Sequence, residues 1–310
     1  MPSHIPLMRI LFFGTPEFAA CSLRQIIDHG FQVVGVVTAP DRPAGRGLNL
    51  KESAVKQVAL AARIPVLQPV NLKAAEFQEQ LRTLAPDLGV VIAFRMLPQS
   101  VWNMPPMGTF NLHASLLPDY RGAAPVNRVL MNGEKKTGVS TFFLRHEIDT
   151  GDILLQESLD IDPEDNAGSL HDRLMHLGAA LVLRTLEGIQ QQSLTPKPQM
   201  VKTQLHAAPK IFPDDCRIHW DQDCEAVHNL IRGLSPVPGA FTTFQGKTVK
   251  ILESRPWAEL DFLPGSWHKL EHNRVVIGCS KGAVEVLTLQ PEGKKKMAAA
   301  DFANGWMHRV

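Results

Sequence analysis

Short apolar runs recur along the first two-thirds of the chain. Each is followed by a stretch in which apolar residues return every third or fourth position. MRILFF (residues 8–13) stops at Gly14 and predicts a strand. Thr15 and Pro16 then read as an N-cap and a first helical residue, and Phe18, Leu23, Ile26 and Ile27 mark the buried face of a helix that stops at Gly30. FQVVGVV (31–37) is the second strand. A helix over about 53–63 precedes the short strand PVLQP, and another helix covers roughly 73–84. LGVVIAF (88–94) and GTFNLH (108–113) are the next strands. Near-continuous apolar strands separated by amphipathic helices indicate a mostly parallel sheet covered on both faces. The expected fold class is α/β, with a Rossmann-like, doubly wound core.

The pattern then changes. TGVSTFFL (137–144) and ILLQESLDI (153–161) flank the turn-like EIDTGD, which suggests an antiparallel hairpin at the sheet edge. A long helix over about 168–191 should pack back on the core. QQSLTPKPQ, polar and Pro-containing, reads as a linker. Beyond a short helix near 225–232, GAFTTFQGKTVKILES and NRVVIGCSKGAVEVLTLQP both read as hairpins, with turns at Gln245-Gly246 and Ser280-Lys281-Gly282. A small, OB-like β-barrel is expected there. The division expected is a first domain over 1–192, a linker over 193–207 and a C-terminal β-barrel over 208–310.

Composition changes this picture little. The 310 residues are 44% hydrophobic and 20% charged, with a formal net charge of +1, as in an ordinary globular chain. No apolar run is long enough to span a membrane, and the start lacks the basic and apolar regions of a secretory signal, so a cytoplasmic location is expected. Cys21, Cys216, Cys224 and Cys279 form neither a C-x-x-C pair nor a disulfide framework and are read as free thiols. His206, His219 and His228 make no zinc spacing with them, and no metal is expected. Gly14-Thr15-Pro16 lacks the second and third glycines of a dinucleotide fingerprint.

The candidate chemistry lies at a strand end. Asn111 and His113 are two apart, so on a strand they point the same way, and ligands of open α/β sheets bind at the carboxyl ends of strands. An imidazole near its ordinary pKa gives and takes protons at neutral pH. An amide N–H beside it stabilises an oxygen gaining negative charge. Asp149, in EIDTGD, is the acid best placed to orient the imidazole or hold a water. Structural readings stand beside these. A lone strand-end histidine is often simply satisfied, an asparagine before a loop often caps its own backbone, and Asp-Thr-Gly is a good turn in itself. The two arginines of PDRPAGRG sit either in a solvated loop or against phosphate or base edges.

At this point the residues resemble a known family. FNLHASLLPDYRGAAP together with IDTGDIL is similar to the signature of the folate-dependent formyltransferases. FFGTPEFAA, APDRPAGRG and LQPEGKKKM extend the resemblance over nearly the whole chain, and the PDRPAGRG loop with the C-terminal domain resembles the branch that acts on methionyl-tRNA. The resemblance implies transfer of the formyl group of 10-formyltetrahydrofolate to the α-amine of methionine on initiator tRNA, by a monomer without metal or membrane. Asn111 and His113 would donate hydrogen bonds to a tetrahedral oxyanion, His113 would pass a proton from amine to departing nitrogen, and Asp149 would orient His113 or a water.

The resemblance also implies contacts. Ser115, Leu116, Leu117 and Pro118 match a folate-contacting loop, and the segment with Ile92, Phe94 and Arg95 would line the pteridine pocket. Arg42 and Arg46 would meet the tRNA acceptor end, Arg46 carrying initiator selection. Lys210, Lys294 and Lys295 would form part of a tRNA-binding face, the lysine run reading equally as a solvated loop. Arg95 departs from the family, which often carries glycine there; it would alter the pocket wall or pair with the folate glutamate tail. Residues 205–310 hold 13 Lys/Arg and 12 Asp/Glu, so a positive face would come from arrangement, not excess. Two rivals remain. A sugar-nucleotide formyltransferase shares the catalytic group and a related second domain. An inactive RNA-binding relative has no reason to keep Asn111, His113 and Asp149 intact.

Overall fold

The computed structural model describes residues 8–44, 49–200 and 204–307; Arg46 lies outside them. In chain order the elements are β1 (Arg9–Gly14), α1 (Glu17–Asp28), β2 (Gln32–Val37), β3 (Arg42–Ala44), β4 (Asn49–Lys51), α2 (Ala54–Ala61), β5 (Val66–Leu67), α3 (Ala75–Thr83), β6 (Leu88–Ile92), α4 (Gln99–Trp102), β7 (Thr109–His113), β8 (Arg121–Gly122), α5 (Pro125–Met131), β9 (Lys136–Phe143), β10 (Ile153–Asp160) and α6 (Ala167–Gln190). Then follow β11 (Ala207–Ala208), α7 (Cys224–Leu234), β12 (Ala240–Phe244), β13 (Lys247–Trp257), β14 (Trp267–Lys269), β15 (Val275–Gly278), β16 (Ala283–Pro291), β17 (Met297–Ala298) and α8 (Ala299–Trp306). They form two compact units, each discontinuous in sequence. The first is 1–121, 138–159 and 172–206; the second is 122–137, 160–171 and 207–310.

The first unit is built on a seven-stranded sheet of order β10-β9-β7-β6-β1-β2-β5. β7, β6, β1, β2 and β5 run parallel, and β9 is antiparallel to β7. The order reverses at β1, which places a crevice outside the carboxyl ends of β1 and β6. Register explains the two-sided burial. Asn111 pairs with Val91, Val91 with Phe13 and Phe13 with Val37, so these four share one face. Leu11, Phe13, Val37 and Val91 there pack with Leu72, Phe77, Leu81 and Val101. On the opposite face Leu112 packs beneath α6, where a Cβ on Gly178 would come within 2.8 Å of it. The helix starts one residue later than the capping pattern suggested. Pro16 occupies the N-cap position of α1 without a side-chain cap, and its carbonyl accepts from the Ala19 and Ala20 amides.

In the second unit six strands form an antiparallel half-barrel, in the order β12-β13-β16-β15-β14 with β17 beside β16. Both expected hairpins are present, β12–β13 and β15–β16. The sheet buries Ile251, Val284, Val286 and Leu289 against Val227, Ile231 and Leu234 of α7 and Phe302 of α8. Asp223 caps α7 by accepting from the Ala226 amide at 2.7 Å. The helix α8 has no counterpart in the sequence reading. Ala299, Phe302 and Ala303 bury one face of it, and Phe302 meets Phe244 edge-on at 5.2 Å.

His228 on α7 faces the Ser254 hydroxyl at 3.0 Å. Burial, with help from the nearby positive charges of Arg232 and Lys135, pushes its pKa down to about 4. The unfolded chain protonates this histidine near its ordinary value of 6.5, so between these two pH values it binds more protons than the folded chain. This contribution to stability is therefore complete above about pH 6.5 and is lost as the pH falls toward 4. The melting temperature of the His228→Gln variant should fall less steeply than that of the parent across that window; equal slopes would contradict the assignment.

The four cysteines are free and buried. Burial pushes the Cys279 thiol up to about 12, which makes it inert as a nucleophile at neutral pH. Among the described residues no helix is long and apolar enough to cross a membrane, and no group of three or more His, Cys, Asp or Glu side chains is placed to hold a metal ion.

Candidate active site

β7 builds the site by alternation. Phe110 and Leu112 are buried on the α6 face, which turns Asn111 and His113 to the other. Asn111 is half-buried and, among the described residues, its carboxamide makes no hydrogen bond to protein. His113, at the last position of the strand, is only 8% exposed.

The His113 ring is held from both sides. Nε2 lies 2.8 Å from the Tyr120 carbonyl oxygen. A carbonyl can only accept, so Nε2 carries the hydrogen and neutral His113 presents a bare Nδ1. Nδ1 faces Asp149 Oδ2 at 3.8 Å. That is beyond hydrogen-bond length, and it suits a carboxylate that attracts the imidazolium without taking its proton. The tautomer divides the roles that the sequence assigned jointly. Asn111 has N–H groups free for an oxygen at once. His113 has one free only after Nδ1 has been protonated.

Asp149 reaches this position through unusual backbone. Its φ is +55°, the left-handed region that a residue with a side chain rarely adopts. Gly151 allows the loop to close: a Cβ there would sit 1.6 Å from the Phe143 carbonyl oxygen. Gln199 then ties the loop down. Its Nε2 donates to the Asp149 carbonyl at 2.8 Å and the Gly151 carbonyl at 2.9 Å, while its Oε1 accepts from Arg121 Nε and Nη2 at 3.1 and 2.5 Å.

The loop after β7 is fastened internally. Ser115 Oγ donates to the Asp119 carbonyl at 2.7 Å. Ser140 Oγ donates to the Ser115 carbonyl at 2.6 Å and accepts from the Leu117 amide at 3.1 Å. Gln156 Nε2 donates to the Leu117 carbonyl at 2.9 Å. Ser115 and Leu117 are 1% and 4% exposed, whereas Leu116 and Pro118 are half-buried. Of the four, Leu116 and Pro118 are the ones whose side chains keep surface open to solvent.

A cleft of about 720 Å³ opens beyond the carboxyl ends of β1, β2 and β6. Thr15, Pro40, Arg42, Ser53, Phe94 and Arg95 are among its walls. It brings together Arg42, expected at tRNA, with Phe94 and Arg95, expected at folate. Arg95 is tethered. Nη1 donates to the Val70 carbonyl at 2.9 Å, Nη2 donates to the Pro69 carbonyl, and the guanidinium lies 5.7 Å from the Phe94 ring centroid. Ile92 is fully buried within β6. Where β2 leads into β3, Asp41 accepts from Lys56 Nζ and from Gln68 Nε2, and these bonds hold its carboxyl below the usual carboxylate range.

The remaining expected residues belong to the second unit. Lys210 is exposed with its ammonium 5.6 Å from the Phe212 ring centroid. Lys294 and Lys295 are exposed in the turn between β16 and β17. The sequence reading missed the Tyr120 carbonyl, Gln199, Ser140 and Gln156. A backbone carbonyl carries no residue signal, and Gln199 sits in a stretch read as linker. Ser140 did leave a trace, as a polar residue within the buried run of β9.

Comparison with known proteins identifies the family. The formyl transferase family model matches residues 8–186, and the formyl transferase C-terminal domain model matches 210–306. Methionyl-tRNA formyltransferase of Parabacteroides distasonis is 47% identical over 311 residues, covering 96% of both chains. That of Bacteroides fragilis is 46% identical over 308 residues, covering 96% of this chain and 95% of its own. Among solved structures, HypX from Aquifex aeolicus in complex with tetrahydrofolic acid aligns with a TM-score of 0.66 and 23% identity, over 98% of this chain and 48% of HypX; the chain thus spans about half of HypX, and this likeness concerns the fold alone. With both family models in place and near-half identity to these relatives over almost its full length, the chain belongs to the formyl transferase family, among the methionyl-tRNA formyltransferases.

Proposed function

We propose that this enzyme transfers the formyl group of 10-formyltetrahydrofolate to the α-amine of methionine carried by initiator tRNA. The observation that carries the reading is the strand end itself. An unengaged Asn111 amide stands two residues from an imidazole whose Nε2–H is committed, leaving a bare Nδ1 that faces Asp149 at 3.8 Å. That donor set fits the folate cosubstrate, which when bound supplies an acyl group already activated toward an amine. Near-full-length identity to enzymes named for methionyl-tRNA supports the acceptor.

The chain's own groups divide the work. Asn111 Nδ2–H donates to the formyl oxygen as it gains negative charge. His113 Nδ1 takes the proton released by the attacking amine, and Asp149 stabilises the imidazolium so formed. Nδ1–H then returns the proton to the departing nitrogen. The Ser115 hydroxyl is not poised for covalent catalysis, since it is buried and spent on the Asp119 carbonyl. Proximity of the two substrates supplies the rest.

The finer assignments are part of the same reading. Leu116, Pro118 and the segment from Ile92 to Arg95 form the folate side, with Ser115 and Leu117 shaping their loop. Arg42, Arg46, Lys210, Lys294 and Lys295 meet tRNA. The catalytic domain spans 1–192 and the tRNA-binding half-barrel 208–310. The two family matches leave 187–209 between them, which supports a connector at 193–207. The enzyme works as a cytoplasmic monomer without metal.

The test is formyl transfer from 10-formyltetrahydrofolate to charged initiator tRNA, with an amino sugar linked to a nucleotide as the competing acceptor. Formylmethionyl-tRNA as the product is the expected result. Formylation of the amino sugar alone would overturn the acceptor assignment.

A further inference from the structure

Two supports of the site come from a stretch that neither family model covers. Gln199 and His206 both lie between residue 186, where one match ends, and residue 210, where the next begins. Gln199 clamps the carbonyls on either side of Thr150, at 2.8 and 2.9 Å, and is itself gripped by Arg121. The His206 carbonyl accepts from the Tyr120 amide at 2.6 Å, and the Tyr120 carbonyl is the acceptor that fixes the His113 tautomer. Asp119 Oδ1 in turn accepts from the His206 amide at 3.3 Å. A segment that reads as a spacer therefore touches both sides of the His113–Asp149 pair, bonding Asp149 itself on one side and reaching His113 through Tyr120 on the other.

Resting on the reading of this site as a formyl transferase centre, we propose that the connector is a working part of it and that Gln199 is a positioning residue for Asp149. The physical need is clear. Asp149 holds left-handed backbone at φ +55°, a strained conformation that the surrounding structure has to hold in place. Two donated hydrogen bonds, one to Asp149 itself and one to Gly151, bracket that strained turn. Gln199 is well suited because its amide donates on one side and accepts on the other. The donor side meets two carbonyls and the acceptor side meets the Arg121 guanidinium, so each polar atom of the side chain is matched to a partner of opposite character.

That polarity supplies a discriminating test. Gln199→Glu keeps the size of the side chain and improves the partner offered to Arg121, yet it removes both donors and sets a carboxylate oxygen against two carbonyls. Gln199→Ala removes the whole brace. If Gln199 positions Asp149, both variants lose kcat by about 10- to 100-fold, consistent with the sensitivity of catalysis to a displacement of about 1 Å. The KM values for both substrates stay within about twofold, because no substrate contact has been removed. If Gln199 only fills space or holds Arg121, Gln199→Glu turns over like the parent, and that outcome overturns the proposal. A raised tRNA KM with kcat unchanged overturns it as well.

The same proteins separate this proposal from the functional reading. The parent enzyme assayed alongside must formylate methionyl-tRNA; if it does not, the acceptor assignment fails by itself. The brace is then read from the carbonyl ¹³C shifts of Asp149 and Gly151, which are expected to move in both variants. Unchanged shifts in Gln199→Glu would overturn the brace whatever the reaction is.

Discussion

Replacing Asn111 by alanine is expected to lower kcat by about 10²–10³, the usual loss when one donor to a developing oxyanion is removed. The argument rests on what Asn111 does not do. Its amide is half-buried and makes no hydrogen bond to protein among the described residues, so alanine strands no partner and creates no cavity in the core. Stability should hardly change, since the large penalties come from orphaned groups and core voids. Donor affinity should survive too, because the residues proposed for the folate side are others. Single-turnover transfer and a thermal melt together make the check. A variant that keeps kcat within tenfold of the parent would leave the oxyanion without its proposed donor. A variant that loses activity only by unfolding would show that Asn111 is structural.

Gly151→Ala is expected to be nearly as damaging by a different route. The added methyl would stand 1.6 Å from the Phe143 carbonyl oxygen and 2.8 Å from its carbon. Backbone is the obstacle, so rotamer changes cannot relieve it, and the loop must lift away from β9. Lifting it breaks the Gln199 clamp and withdraws Asp149 from His113. A displacement of about 1 Å would already cost on the order of 10²-fold in kcat, and overpacking of this kind costs about 1–3 kcal/mol in stability. The kinetic loss should exceed the one from Gln199→Ala, because the steric push adds to the lost bonds. Turnover equal to the parent would show that Asp149 need not stay at 3.8 Å from Nδ1.

Much of the fold was legible because it rests on local periodicity. The strand and helix runs of the first unit appear within a residue or two of where apolar spacing placed them, and the β12–β13 and β15–β16 hairpins turn at the glycines identified. The helix α8 was missed because its apolar face is short and is defined by packing on the sheet, around Phe302. Unit membership was equally hidden. Residues 122–137 and 160–171 cluster with the C-terminal part, and contact across such separations leaves no trace in a local pattern.

The sequence by itself determined that Asn111 and His113 share a face at a strand end, because the period of a β-strand is two and Phe110 and Leu112 claim the other side. It also marked Asp149 in a turn as their acid. Only the tertiary structure decided which imidazole nitrogen is left bare, because the choice is made by the carbonyl of Tyr120, a group that every residue type carries. It alone decided how Asp149 is held, by Gln199 from 50 residues downstream in the chain. Side-chain direction along a strand follows from the covalent geometry of the chain, whereas hydrogen-bond partners are chosen in space, by groups whose identity in the sequence says nothing of whom they will meet.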